Sequence, residues 1–159
     1  LCLHFFLADY FQLWKLITYM FMHDSFMHIL MNMFMLWMFG MVMENVWGSK
    51  KFLFYYIVTG VGAGLCQELA QYATYMAEGL SRYQYVATEM GRIPMDAYLN
   101  LWTTVGASGA VYGVLLAFGL TFPNERMFII PIPIPLKAKW IIFGSLAIEL
   151  FSAQRIHIN

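Results

Sequence analysis

The chain has 159 residues, of which 61% are hydrophobic and only 11% charged, and its formal net charge is zero. A soluble domain carries about 25% charged and about 45–50% apolar residues, so the composition excludes an ordinary soluble globule and indicates a polytopic membrane protein. Charge balance removes any electrostatic case for nucleic acid; Cys2 and Cys66 form no motif, so they read as small apolar fillers and neither a metal nor a disulfide is expected.

Residues 1–22 are rich in aromatics, from His4, Phe5 and Phe6 to Trp14, Tyr19 and Phe21, interrupted by Asp9, Gln12 and Lys15. Trp, Tyr and Lys at that density suit the headgroup layer, which predicts an interfacial loop with short helical turns. A first span is expected over residues 26–46, with Asp24-Ser25 capping its N-terminus. Its Met-, Leu- and Phe-rich interior carries His28 and Asn32, four apart and therefore on one helix face. His23 lies just before the helix and Glu44 near its far end. A basic turn, Gly48-Ser49-Lys50-Lys51, leads into a second span over 52–76, where Gly60, Gly62, Ala63 and Gly64 form a close-packing face.

Residues 77–100 are polar and too long for a bare connector, so short helices are expected there. Residues 101–122 contain no charge and form the third expected span, which puts Ser108 about two turns in, or roughly 10 Å at ~1.5 Å per residue. Pro131, Pro133 and Pro135 then impose an extended segment. A short fourth span is expected over 140–152. There is no linker and no repeat, so residues 1–159 read as one all-α, polytopic transmembrane helical bundle with an interfacial N-terminal loop.

Basic residues in short loops set the orientation. Lys50, Lys51, Arg126, Lys137 and Lys139 fall on one side of four alternating spans, against Lys15, Arg82 and Arg92 on the other. The first group is therefore expected to be cytoplasmic, and the His28 and Ser108 ends of their helices open together toward the outer face.

Two readings of Ser108 compete. Between Gly106 and Gly109 it can be part of a small-residue packing face, its hydroxyl bonded to a carbonyl one turn back. It can also be a nucleophile whose glycines clear space for a substrate. His28 and Asn32 can likewise be a helix–helix hydrogen bond, since an intramembrane polar pair is costly unless paired or wet. A serine and a His/Asn pair at matching depth shift the balance toward a shared site.

The residues His23-Asp24-Ser25-Phe26-Met27-His28-Ile29-Leu30-Met31-Asn32 resemble the His-x4-His-x3-Asn signature opening the second transmembrane helix of rhomboid intramembrane serine proteases. Gly106-Ala107-Ser108-Gly109-Ala110-Val111-Tyr112-Gly113 resembles their nucleophile motif, and Trp14-Lys15-x2-Thr18 their first-loop Trp-Arg segment with lysine in place of arginine. The resemblance runs from about residue 10 to residue 151. It implies that Ser108 attacks the scissile carbonyl, and that the Ser108 N–H with the His28 and Asn32 side chains holds the oxyanion. It also implies that Tyr112 packs on the catalytic imidazole, that His23 sits at the outer mouth, and that Gly109 and Gly113 admit a neighbouring helix. Glu44 would be a tether at the cytoplasmic end. No cofactor or metal is implied. The partners would be membrane lipid and transmembrane segments of protein substrates, in a multi-pass protein of the plasma or, in a bacterium, inner membrane.

The family's base is a histidine in an Ala-His-x2-Gly setting on a sixth helix, and the sequence departs from this. His157 stands between Ile156 and Ile158 with no glycine at the expected place, and the eight residues after Phe151 are too few to span. The first helix of the family is also not represented. The expectation is a fragment covering the second to fifth helices, inactive by itself because an isolated serine hydroxyl needs a base. The rival reading is a non-catalytic rhomboid-like protein that binds transmembrane helices without cleaving them.

Overall fold

A computed structural model describes residues 1–88, 91–129 and 132–137. The expected fourth span at 140–152 and His157 lie outside the described residues. In chain order the elements are β1 (Leu3–His4), α1 (Lys15–Thr18), α2 (Phe26–Met35), a π-helical turn (Leu36–Gly40), α3 (Met41–Trp47) and α4 (Ser49–Ala77). These are followed by β2 (Tyr85–Thr88), β3 (Gly91–Pro94), α5 (Met95–Leu99), β4 (Thr103–Thr104), α6 (Ser108–Thr121), β5 (Arg126–Ile129) and β6 (Ile132–Lys137). The chain is mostly helical. Among the described residues, three two-stranded antiparallel ladders, β1–β4, β2–β3 and β5–β6, add what an all-α reading omits.

Helix α2 starts where the sequence places it. Ser25 is extended and its hydroxyl accepts from the His28 N–H at 3.2 Å, satisfying one orphan donor of the first turn. The helix runs through the π turn into α3 as one rod, Phe26–Trp47, and stops at Gly48, whose φ of +82° continues no helix. Helix α4 follows at once. It closes on Gly79, left-handed at φ +62°, whose N–H reaches the Met76 carbonyl at 3.2 Å.

Both rods are long and apolar enough to cross a membrane, yet only 22% of the first and 17% of the second apolar window is buried within the protein. Phe26, Met27, Leu30, Phe34 and Trp37 of the first rod, and Leu53, Phe54, Val58 and Leu69 of α4, turn outward. An outward apolar face of this extent suits hydrocarbon rather than water.

Helix α6 is the centre of the packing. Ala110, Val111, Val114, Leu115, Ala117 and Phe118 are buried, and they join Met20, Phe39, Met43 and Tyr56 in the main core. Its apolar residues go all round, and Leu116 and Leu120 stay exposed on the side away from that core. Gly109 lies against the Ala63 side chain, and Gly113 against Thr59, where an added Cβ would come within 2.8 Å. The Tyr55 hydroxyl donates to the Gly113 carbonyl at 2.9 Å across the same seam. These small residues let α4 and α6 backbones approach closely.

The structure corrects the third span. Residues 101–107 are not helical: Thr103–Thr104 pair with Leu3–His4, and Gly106 adopts φ +112°. Helix α6 therefore begins at Ser108 and has 14 residues, so Ser108 sits at the helix start and not two turns within it. The 77–100 segment holds the short helix α5, as expected, and also the β2–β3 hairpin. Cys66 is exposed and does not fill the core.

The N-terminal segment is tied down by polar contacts. Phe5 N–H bonds the Trp102 carbonyl at 3.1 Å, and Phe6 N–H donates to the Glu68 carboxylate at 2.7 Å. Lys15 is buried, and its ammonium donates to the Tyr10 carbonyl at 2.6 Å while lying 3.3 Å from His4 Nδ1. Burial lowers the His4 pKa from its ordinary value, and the Lys15 charge adds to this against an opposing hydrogen bond to the Cys2 carbonyl. A depressed histidine pKa means that the unfolded chain takes up the proton first as pH falls. Stability from the neutral imidazole is therefore full above ~6.5, the ordinary histidine pKa, and declines below it. Thermal unfolding in detergent should show a melting temperature that falls as pH is lowered through this window, with a shallower fall in His4→Gln. An identical slope in the variant would refute the assignment.

Candidate active site

The N-terminal ends of α2 and α6 meet. His28 is in the first turn of α2, and its side chain leans back toward the helix start, as Cβ geometry dictates. There Nδ1 lies 2.6 Å from Asp24 Oδ1. The hydrogen bond to His28 holds the exposed Asp24 carboxyl below the usual carboxylate range. The opposite edge of the imidazole packs onto Gly106: a Cβ built there would lie 2.7 Å from His28 Cε1, 2.8 Å from Nε2 and 3.8 Å from Ser108 Oγ. The imidazole edge and the serine hydroxyl thus border the same small volume above the Gly106 backbone.

Gly106 is fixed from a second side, since its N–H donates to the Tyr19 carbonyl at 3.0 Å. Two residues later α6 begins, with first-turn N–H groups that have no partner within the helix and with the positive end of its dipole. Ser108 is half-buried at this point.

Asn32 is buried, one turn along α2 from His28, and its Nδ2 has no hydrogen-bond partner among the described residues. His23 lies edge-on to His28 with ring centroids 5.1 Å apart, and both its ring nitrogens are buried, likewise without partners among the described residues. A buried unsatisfied donor costs about 1–3 kcal/mol, so Asn32, one turn along α2 from His28, and His23, against the His28 ring, hold unused hydrogen-bonding capacity. Tyr112 is four residues beyond Ser108, half-buried against the main core. Gly109 faces α4, as described above. Glu44 lies sixteen positions from His28 along the rod, on the order of 24 Å at 1.5 Å per residue.

Sequence reasoning named His23, His28, Asn32, Gly106, Ser108, Gly109 and Tyr112. It assigned Asp24 only to capping, although the i, i+4 spacing to His28 was there to be read. The Tyr19 carbonyl that anchors Gly106 carries no sequence signal, because it is a backbone group brought close by tertiary packing.

The family model described as Rhomboid domain matches residues 10–158. The chain belongs to the rhomboid family. Among curated proteins it is similar to Rhomboid protease GlpG of Yersinia pestis, 30% identical over 147 residues, with 75% of this chain and 52% of that protein covered. The same named protein of Yersinia pseudotuberculosis serotype I is 33% identical over 147 residues at the same coverage. Rhomboid protein 1, mitochondrial, of Saccharomyces cerevisiae is 26% identical over 123 residues, covering 77% of this chain and 29% of that protein. The chain thus spans about half the length of its GlpG relatives. No solved structure matches it.

Proposed function

We propose that the chain is the central part of a rhomboid intramembrane serine endopeptidase. In this reading Ser108 is the nucleophile, and the Ser108 N–H with the side chains of His28 and Asn32 forms the oxyanion hole. The observation that carries it is the convergence at Gly106, where an imidazole edge and the Ser108 hydroxyl border one volume at the start of α6. Relatives named as proteases support the reaction class.

Ser108 Oγ attacks the scissile carbonyl carbon, and its proton passes to a histidine supplied by sequence outside the described residues. The developing oxyanion meets the first-turn N–H of α6 and the unpartnered Asn32 Nδ2. Preorganised donors of this kind are worth about 2.7–4 kcal/mol each in acyl transfer. Collapse of the tetrahedral intermediate expels the amine, which takes the proton from that histidine, and leaves an acyl-enzyme, which water entering from the outer face hydrolyses. Tyr112 packs beside the accepting imidazole, and His23 holds water at the mouth. The substrate is another protein's transmembrane helix, unwound near its outer end and delivered through lipid. The protein is multi-pass, with the site opening outward.

The test is labelling by a fluorophosphonate probe. The 159-residue chain is compared with one continued C-terminally in the frame of its gene. The continued chain should label, and labelling of the 159-residue chain reports whether the accepting histidine lies within it. Absence of labelling in both would reject the protease reading and favour a rhomboid-like protein that binds transmembrane helices without cutting them.

A further inference from the structure

The Asp24–His28 contact has a chemical consequence for the face that His28 turns toward Ser108. Asp24 is exposed and ionised, so its carboxylate can only accept a hydrogen bond. At 2.6 Å from Oδ1, His28 Nδ1 is therefore the nitrogen that carries the proton. A neutral imidazole has one N–H, so Nε2, on the edge against Gly106, is left with a lone pair. Of the titratable groups around this ring among the described residues, His23 meets it edge-on and Asp24 meets Nδ1, while the Gly106–Ser108 turn brings only backbone and a hydroxyl.

We propose that Asp24 is a positioning residue that locks His28 in the Nδ1–H tautomer, so that His28 becomes a donor toward the Ser108 pocket only when it takes up a second proton at Nε2. While the ring is neutral, Nε2 is an acceptor, suited to the Ser108 O–H. Once Nε2 has taken a proton from solvent, to which the His28 side chain is 27% exposed, Asp24 balances the imidazolium charge while Nε2–H faces the oxyanion. The division of labour follows: Asn32 donates in every protonation state, and His28 does so conditionally. The catalytic consequence rests on the protease reading above, whereas the tautomer does not.

The tautomer is tested by long-range proton–nitrogen NMR of histidine-labelled protein in detergent, at a pH where the imidazoles are neutral, with His28→Gln identifying the signals. The wild-type chain should show a pyrrole-type Nδ1 and a pyridine-type Nε2 for His28. In Asp24→Ala the two signals should converge or exchange, while those of His4 stay in place as a check on folding. A pyridine-type Nδ1 in the wild type overturns the proposal without any variant being needed, and so does an Asp24→Ala spectrum identical to the wild type. In the continued chain, Asp24→Ala should slow fluorophosphonate labelling roughly tenfold to a hundredfold through the rate constant rather than probe affinity, the scale of effect that misplacing a reacting group produces. A continued wild-type chain that does not label removes the protease reading and leaves the NMR result standing; one that labels at an unchanged rate in Asp24→Ala removes the positioning role.

Discussion

Ser108→Ala is expected to abolish fluorophosphonate labelling and substrate cleavage by the continued chain while leaving its thermal stability almost unchanged. The chemical half of this is stoichiometric. The probe forms its covalent bond to the serine oxygen, and alanine offers none. For cleavage, loss of a serine nucleophile in a hydrolase typically costs on the order of a millionfold in kcat, which puts the variant below detection. The structural half rests on where Ser108 sits. It is the first residue of α6, and the residue preceding it provides no side-chain cap, so helix initiation does not depend on a hydroxyl. It is half-buried rather than wedged in the core. Alanine is the better helix former, and a substitution away from core packing usually shifts stability within about 0.5 kcal/mol. Melting in detergent measured beside labelling therefore separates the two. A variant that unfolds would make Ser108 a structural residue, and one that still labels would place the nucleophile elsewhere.

What was legible in the sequence was what spacing encodes. His28 and Asn32 share a face because four residues make about one turn, and the cap at Ser25 follows from a hydroxyl before an apolar run. Helix α4 is readable from its length and its small residues. The start of α6 was not. Hydropathy sees an unbroken neutral stretch from Leu101 to Phe122, but it cannot see Thr103–Thr104 paired with a strand a hundred residues earlier, or the φ of Gly106. Both are set by tertiary partners. The β2–β3 hairpin could have been read: Tyr85-Val86-Ala87-Thr88 leans toward strand, and Gly91, at φ +113°, follows it as a turn signal. Nor is the burial of Glu68 legible: its carboxylate accepts from the Phe6 N–H, a contact between residues 62 apart that no local pattern announces.

Gly106→Ala is expected to damage both folding and activity, in contrast to Gly62→Ala, which should damage neither. At Gly106 two penalties act together. A non-glycine residue at φ +112° is in a sparsely populated region, at a cost of about 1–3 kcal/mol. The new methyl would also press on the His28 ring at 2.7–2.8 Å. The ring has little room to retreat, because Asp24 holds Nδ1 at 2.6 Å and His23 abuts it edge-on. Nor can the turn withdraw without breaking the Gly106 N–H bond to Tyr19. Strain released by moving His28 displaces the proposed oxyanion donor, and strain released by moving the turn displaces Ser108. A shift of about 1 Å in such a group costs on the order of a hundredfold, so labelling of the continued chain should fall at least that far. At Gly62 an added methyl meets nothing within 4 Å, and in mid-helix alanine is favoured over glycine by up to ~1 kcal/mol. Its melting temperature should hold or rise, with labelling unchanged. Equal behaviour of the two variants would mean that the turn before α6 does not govern the position of the hydroxyl and the imidazole, and the shared volume at Gly106 would lose its catalytic meaning.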